Sequence, residues 1–275
     1  MGTEMRLWLL VALLSWQPVH AAPFSANPSQ AHAAPTFAAE KVIQMAKKVE
    51  KALAARGARV AIIARMGRPL AEMPEGMRYT HAGFAVYSDI TAKDGRVLKG
   101  YATFNEYQSD TEPNTSSLVQ DYPVDFFSSV AKLEAGVIIP SPELQKRLLE
   151  IIMSPTYQAM HEPQYSAISN PYTLGKQNCT EFVLDVINAA IYQTDDIRVI
   201  KANTKAFFVG QTVNVNPLKL MLGSVFASEI ALTDHPSMPP VTATFEAIGR
   251  YLQKYDQGVE VFTVLPDTAN LHQPQ

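Results

Sequence analysis

The sequence predicts a single α+β domain, and three observations predict it. Apolar residues recur at helical spacing near both ends of the chain, segments of strand character are grouped between them, and no Gly/Ser run, charge block or repeat divides the 275 residues. Hydrophobic residues make up 47% and charged residues 18%, proportions at which a core forms without staples.

The elements follow in order. Residues Thr36 to Arg56 carry apolar positions at helical spacing with Lys and Glu between them, and Gly57 stops the run, so an amphipathic helix is expected. Arg59 to Arg65 reads as a buried strand, and the Gly/Pro/Glu-rich stretch from Gly67 to Gly76 as a surface loop. Tyr79 to Tyr87 and Val97 to Asn105 read as a long hairpin about a polar turn containing Lys93-Asp94-Gly95. Leu118 to Ala131 is expected to hold a short helix entered through Pro123, and Ala135 to Ile139 a short strand. Ser141 as N-cap and Pro142 at the first helical position start a helix over Leu144 to Met153. Ser154 to Gln177, with two Asn/Ser/Pro clusters, reads as an ordered loop, and Asn178 to Tyr192 is the clearest helix of the chain. Shorter helices are expected near Asn203 to Val209 and Phe245 to Tyr255, and Val259 to Val264 alternates as a closing strand.

The first residues bear on compartment. Arg6 precedes an apolar run from Leu7 to Trp16, and small residues end at Ala21, which is the pattern of a signal peptide over residues 1–21. That run is shorter than the roughly 20 apolar residues a bilayer demands. Nothing later in the chain reads as a membrane span, so a periplasmic or secreted protein is expected. Residues 22–35, rich in Ala, Pro, Ser and Asn, read as a disordered leader. The domain itself is expected over 36–275. Net charge is −3 with Lys and Arg scattered, which gives no electrostatic footprint for nucleic acid. There is no phosphate loop, dinucleotide fingerprint, Gly-x-Ser-x-Gly elbow or His-Glu-x-x-His pattern. His161-Glu162 and Asp234-His235 lack ligand spacing, so neither a metal nor another cofactor is expected.

One cysteine, Cys179, is present, so no internal disulfide forms. Asn178 is a natural N-cap and Glu181 completes a capping box, which puts Cys179 at the first helical position. There the free amides and the helix dipole favour an anion, lower a thiol pKa and suit a nucleophile. Equally, Cys179, Phe182, Val183, Val186, Ile187 and Ala190 share one stripe, and a cysteine there can be plain core. A nucleophilic thiol needs a base. Of the six histidines, His20, His32 and His272 lie in the signal segment or the ends, and only His81 begins a strand. His81, Gly83 and Ala85 share one face of it, and that bare face leaves room for a helix to approach. The partner strand offers Thr103, Asn105 and Glu106 near the end that returns toward His81, and Asn105 is chosen because an amide orients an imidazole without being charged; it can also simply finish a strand at a turn.

The strand Tyr79-Thr80-His81-Ala82-Gly83-Phe84, followed much later by Asn178-Cys179 opening a helix, resembles the circularly permuted NlpC-type branch of papain-fold cysteine hydrolases. Asn178-Cys179 with Phe182-Val183 is also similar to the cysteine motif of acyltransferases resembling lecithin retinol acyltransferase. Over nearly the whole chain after the leader, Arg78 to Ala85, Ser169 to Tyr172, Gln177-Asn178-Cys179 and Asp234-His235-Pro236 resemble the bacterial domain-of-unknown-function 2145 family. These resemblances imply a papain-like antiparallel sheet packed against the cysteine-bearing helix. They imply a thiol hydrolase or transferase acting on an amide or ester, with cell-wall peptides or lipid acyl groups as substrates. Cys179 would attack the carbonyl, His81 would shuttle the proton, Asn105 would orient His81, and Gln177 and Asn178 would help hold the oxyanion or substrate. Members of the permuted branch often carry a second His on the following strand, where this chain has Ala102-Thr103. The alternative expectation is a non-catalytic envelope protein that keeps the fold and binds a ligand in the cleft.

Overall fold

The computed structural model describes residues 36–92, 94–214 and 230–267. The expected signal segment and leader, His20, His32, His272 and Lys93 of the hairpin turn lie outside the described residues.

The first helix, α1 (Ala39–Ala54), buries Val42, Met45, Ala46, Val49 and Leu53, the stripe its spacing dictates. Gly57, at φ +63°, then turns the chain into β1 (Val60–Met66). All seven residues of β1 are buried because the strand is central and covered on both faces. A long antiparallel hairpin follows, β2 (His81–Thr91) and β3 (Val97–Gln108), then β4 (Ser116–Asp121), α2 (Pro123–Phe126) and β5 (Lys132–Ile139). Next come α3 (Pro142–Ile152), α4 (Pro155–Ala159), α5 (Cys179–Tyr192) and α6 (Ile197–Phe207). Two short strands, β6 (Gln211–Thr212) and β7 (Val241–Thr242), pair with each other before α7 (Phe245–Tyr255) and β8 (Glu260–Val264). The main sheet has the order β4-β3-β2-β1-β5-β8, antiparallel at every junction. The architecture is therefore α+β. Among the described residues no helix is long and apolar enough to cross a membrane.

The sheet has two covered faces, and the distinction decides the chemistry. One face carries Ile62, Ala64, Ala82, Phe84, Val86, Ala102 and Phe104 and packs against α3, α5 and α7 through Leu148, Phe182, Val183, Val186 and Ile248. The other carries Ala61, Ile63, Ala85, Tyr101 and Val137 and packs against α1 and α2 through Val42, Met45, Val49, Phe126 and Phe127. Strand alternation keeps these sets apart.

The short helix expected through Pro123 is α2. The edge strand Ser116 to Asp121 before it has no counterpart in the sequence reading; its polar residues conceal it because only one side of an edge strand finds a partner. Three local expectations are corrected. The hairpin reaches four residues beyond Tyr87 as a largely exposed ribbon, with Asp89 ion-paired to Lys99. The helix expected near Asn203 begins at Ile197, where Asp196 caps it by accepting the Arg198 amide at 2.9 Å. The loop over 154–177 contains α4, started by Ser154 and Pro155.

Candidate functional site

The mouth of α5 is built as the residue types require. Asn178 is extended (φ −130°, ψ 170°), and its Oδ1 accepts the Glu181 amide at 2.9 Å, which fixes Cys179 as the first helical residue. The Asn178 Nδ2 donates to the Ala167 carbonyl and to Thr242 Oγ1, each at 3.2 Å. The reciprocal half of the expected capping box is absent. The Glu181 carboxylate turns to Lys201 Nζ at 2.6 Å, and the same ammonium meets Asp185 at 2.7 and 2.9 Å.

Gln177 is equally committed. Its Nε2 donates to the Met160 carbonyl and to Asp185 Oδ2, both at 2.9 Å, and its Oε1 accepts the Glu162 amide at 2.8 Å. Gln177 and Asn178 are each 2% exposed and hold the loop over 154–177 to α5, while Asn178 also lines the cleft beside Cys179.

Cys179 is 5% exposed, and its sulfur lies 3.9 Å from the carbonyl oxygen of Thr80, the residue that precedes β2. Burial pushes the thiol up to about 12; the Ala82 and Thr180 amides and Arg65 pull the other way without compensating, and Glu106 adds to the rise. Loss of hydration thus outweighs the helix-terminus effect anticipated from position alone.

The His81 ring leaves β2 on the opposite face. It stacks on Tyr107 with centroids 4.6 Å apart and 10° between planes, and tilts against Phe126 of α2 at 5.4 Å. Phe126 belongs to the core under α1, whereas α5 packs on the other side of the sheet. The backbone of β2 therefore separates sulfur from imidazole, and the expected Cys179–His81 pair is corrected to two groups on opposite faces. The space beside Gly83 is also filled from within the sheet: a Cβ there would collide with Asn105 Oδ1 and come within 3.0 Å of the Phe104 carbonyl oxygen.

Asn105 does meet His81. Its Nδ2 donates to Asp121 Oδ1 at 2.9 Å, which leaves Oδ1 facing His81 Nε2 at 3.3 Å and assigns the proton to Nε2. Burial holds this imidazole neutral, with its pKa well below the ordinary range, and Arg65 lowers it further. Asp121 also accepts from Tyr107 Oη at 2.9 Å and from the Thr103 hydroxyl, and Arg65 Nη1 donates to the Phe126 carbonyl at 2.6 Å. Sequence reading missed Arg65, Tyr107 and Asp121. The period of two that unites Thr103, Asn105 and Tyr107 was available, but their convergence on Asp121 depends on the unrecognised β4.

On the α5 face, Glu106 is buried and its carboxyl is raised well above the ordinary range by desolvation. His161 Nε2 lies 2.9 Å from Ser116 Oγ, with its ring edge-on to Phe182. His235 Nε2 faces the Ile168 carbonyl at 2.9 Å, while Asp234 accepts the Asn170 amide at 2.8 Å, so this motif closes a loop. Among the described residues no group of three or more His, Cys, Asp or Glu is placed to hold a metal ion.

Beside Cys179 opens a cleft of about 350 Å³, within the range of small-ligand sites. Met73, Met77 and Ile168 give it apolar walls, and Gln108 and Thr244 give it polar ones.

A family model described as an uncharacterized protein conserved in bacteria (DUF2145) matches residues 52–252. No curated protein and no solved structure matches the chain.

Proposed function

Because the chain belongs to the DUF2145 family of uncharacterised bacterial proteins, we propose that it is an exported, non-catalytic binding protein on a permuted papain-like scaffold, and that it takes a short peptide in the cleft beside Cys179. One observation carries the reading: the only thiol borders the cleft as a buried, protonated group, and His81, the one strand histidine among the described residues, lies on the far side of the sheet. A nucleophile needs its base within hydrogen-bond reach, and the backbone of β2 intervenes. The scaffold assignment draws support from chain order, since the His81 strand precedes the Cys179 helix and an antiparallel sheet packs against that helix. The peptide assignment draws support from the cleft lining: the thioether and aliphatic walls of Met73, Met77 and Ile168 accept an apolar side chain.

A stem tetrapeptide of peptidoglycan is the probe, with affinity measured by calorimetry. Cys179→Ala is expected to bind within about twofold of the unaltered protein, because removing an inert, 5% exposed sulfhydryl takes away little contact surface. Met77→Arg is expected to abolish binding by blocking the cleft. The position of Cys179 as the first residue of α5, at the cleft border, favours a second reading as a thiol hydrolase. Cleavage of the tetrapeptide by the unaltered protein, lost in a folded Cys179→Ser variant, would establish that reading instead.

A further inference from the structure

We propose that a second cavity, remote from Cys179, binds a single-chain carboxylate amphiphile such as a medium-chain fatty acid. The cavity, of about 260 Å³, lies between α1, the start of β5 and the segment after β8. Its floor is apolar, built from Phe37, Met45, Leu133 and Pro266.

The rim is cationic. Lys41 and Lys48 project two turns apart on α1, and Lys132 opens β5, in a chain whose net charge is −3. Two of these charges are answered: Lys48 pairs with Asp267, and Lys132 with the buried Glu134 at 2.9 Å. Among the described residues no carboxylate pairs with Lys41, which is half-buried against the apolar floor. The site therefore offers, among the described residues, one ammonium without a carboxylate partner beside an apolar floor. That combination selects one negative charge on an aliphatic tail, since the ammonium gains a charge-assisted hydrogen bond while the tail leaves water. A cavity this size, with one cation unpaired among the described residues, takes one chain rather than the two chains of a phospholipid.

Decanoate is the probe, titrated into the full chain by calorimetry, with decanol and butyrate as comparators. Decanoate is expected to bind more tightly than either, because each comparator lacks one of the two features. Lys41→Glu is expected to weaken decanoate about tenfold through lost pairing and added repulsion, while leaving decanol unchanged. The residue lies on the surface of α1, and an unchanged circular dichroism spectrum verifies the fold. Equal binding of decanoate and decanol, or full affinity in Lys41→Glu, would overturn the proposal. So would loss of decanoate binding in Met77→Arg, because the ligand would then occupy the Cys179 cleft.

Discussion

Replacing Lys201 with methionine is expected to destabilise the protein by about 3–5 kcal/mol at pH 7 to 8, the cost of breaking a buried ion cluster from one side. Lys201 is 7% exposed, and its ammonium is the shared partner of Glu181 and Asp185, both fully buried. Burial alone would drive these carboxyls toward their neutral forms. Lys201 opposes that, and in return the two acids raise the pKa of the lysine despite its own burial. Methionine keeps the volume of the stem and removes the charge, so two acids are left with no cation. They then take up protons, and the deficit is expected to shrink as pH falls toward 5, where protonation is cheap. Urea midpoints for Lys201→Met against the unaltered protein at pH 5 and pH 8 measure this. A loss below about 1 kcal/mol at pH 8 would mean the cluster is solvated and does not fix α6 on α5.

The second large effect concerns Asp121. Its carboxyl is pushed up to about 7, first by burial, with Tyr107, Arg65 and Asn105 lowering it and Asp125 raising it. A folded pKa raised above the unfolded value of about 4 means that the native state binds the extra proton. The contribution to stability is therefore fully present below pH 4 and is lost as pH rises through 7. The size is on the order of 4 kcal/mol, from about three pKa units at 1.36 kcal/mol each. Asp121→Asn is expected to flatten this part of the profile. Relative to the unaltered protein, the variant should gain stability between pH 5 and 8, less about 1 kcal/mol for an imperfectly replaced hydrogen bond. Urea unfolding of both proteins at three pH values gives the difference. A constant difference across that range would show that Asp121 is ionised throughout.

What the sequence disclosed, and what it hid, follow from the same physics. The α5 start was legible because capping is local: Asn178, Cys179 and Glu181 suffice to place the first turn. Ser141 and Pro142 were legible for the same reason. The fate of the Glu181 carboxylate was not, because Lys201 lies on another helix. The period of two correctly grouped His81, Gly83 and Ala85, and the choice of Asn105 on the partner strand as the residue beside His81 agrees with their contact. It did not say which face α5 would cover. The bare face was read as room for a helix, yet the helix covers Ala82, Phe84 and Val86, where Phe182, Val183 and Val186 find larger apolar partners. Burial of apolar area therefore ranks above spare room as a guide to where an amphipathic helix docks. The polar edge strand β4 carried no such stripe, and with it Asp121 escaped notice.

The central claim is that the Cys179 sulfur and the His81 imidazole work apart. The most direct measurement is the rate of Cys179 alkylation by iodoacetamide from pH 5 to 10, in the unaltered protein and in His81→Ala. A buried thiol with no imidazole partner predicts slow reaction that rises with pH without levelling off, and the same profile in both proteins. A fast plateau below pH 7, removed in His81→Ala, would contradict the account and restore a thiolate–imidazolium pair.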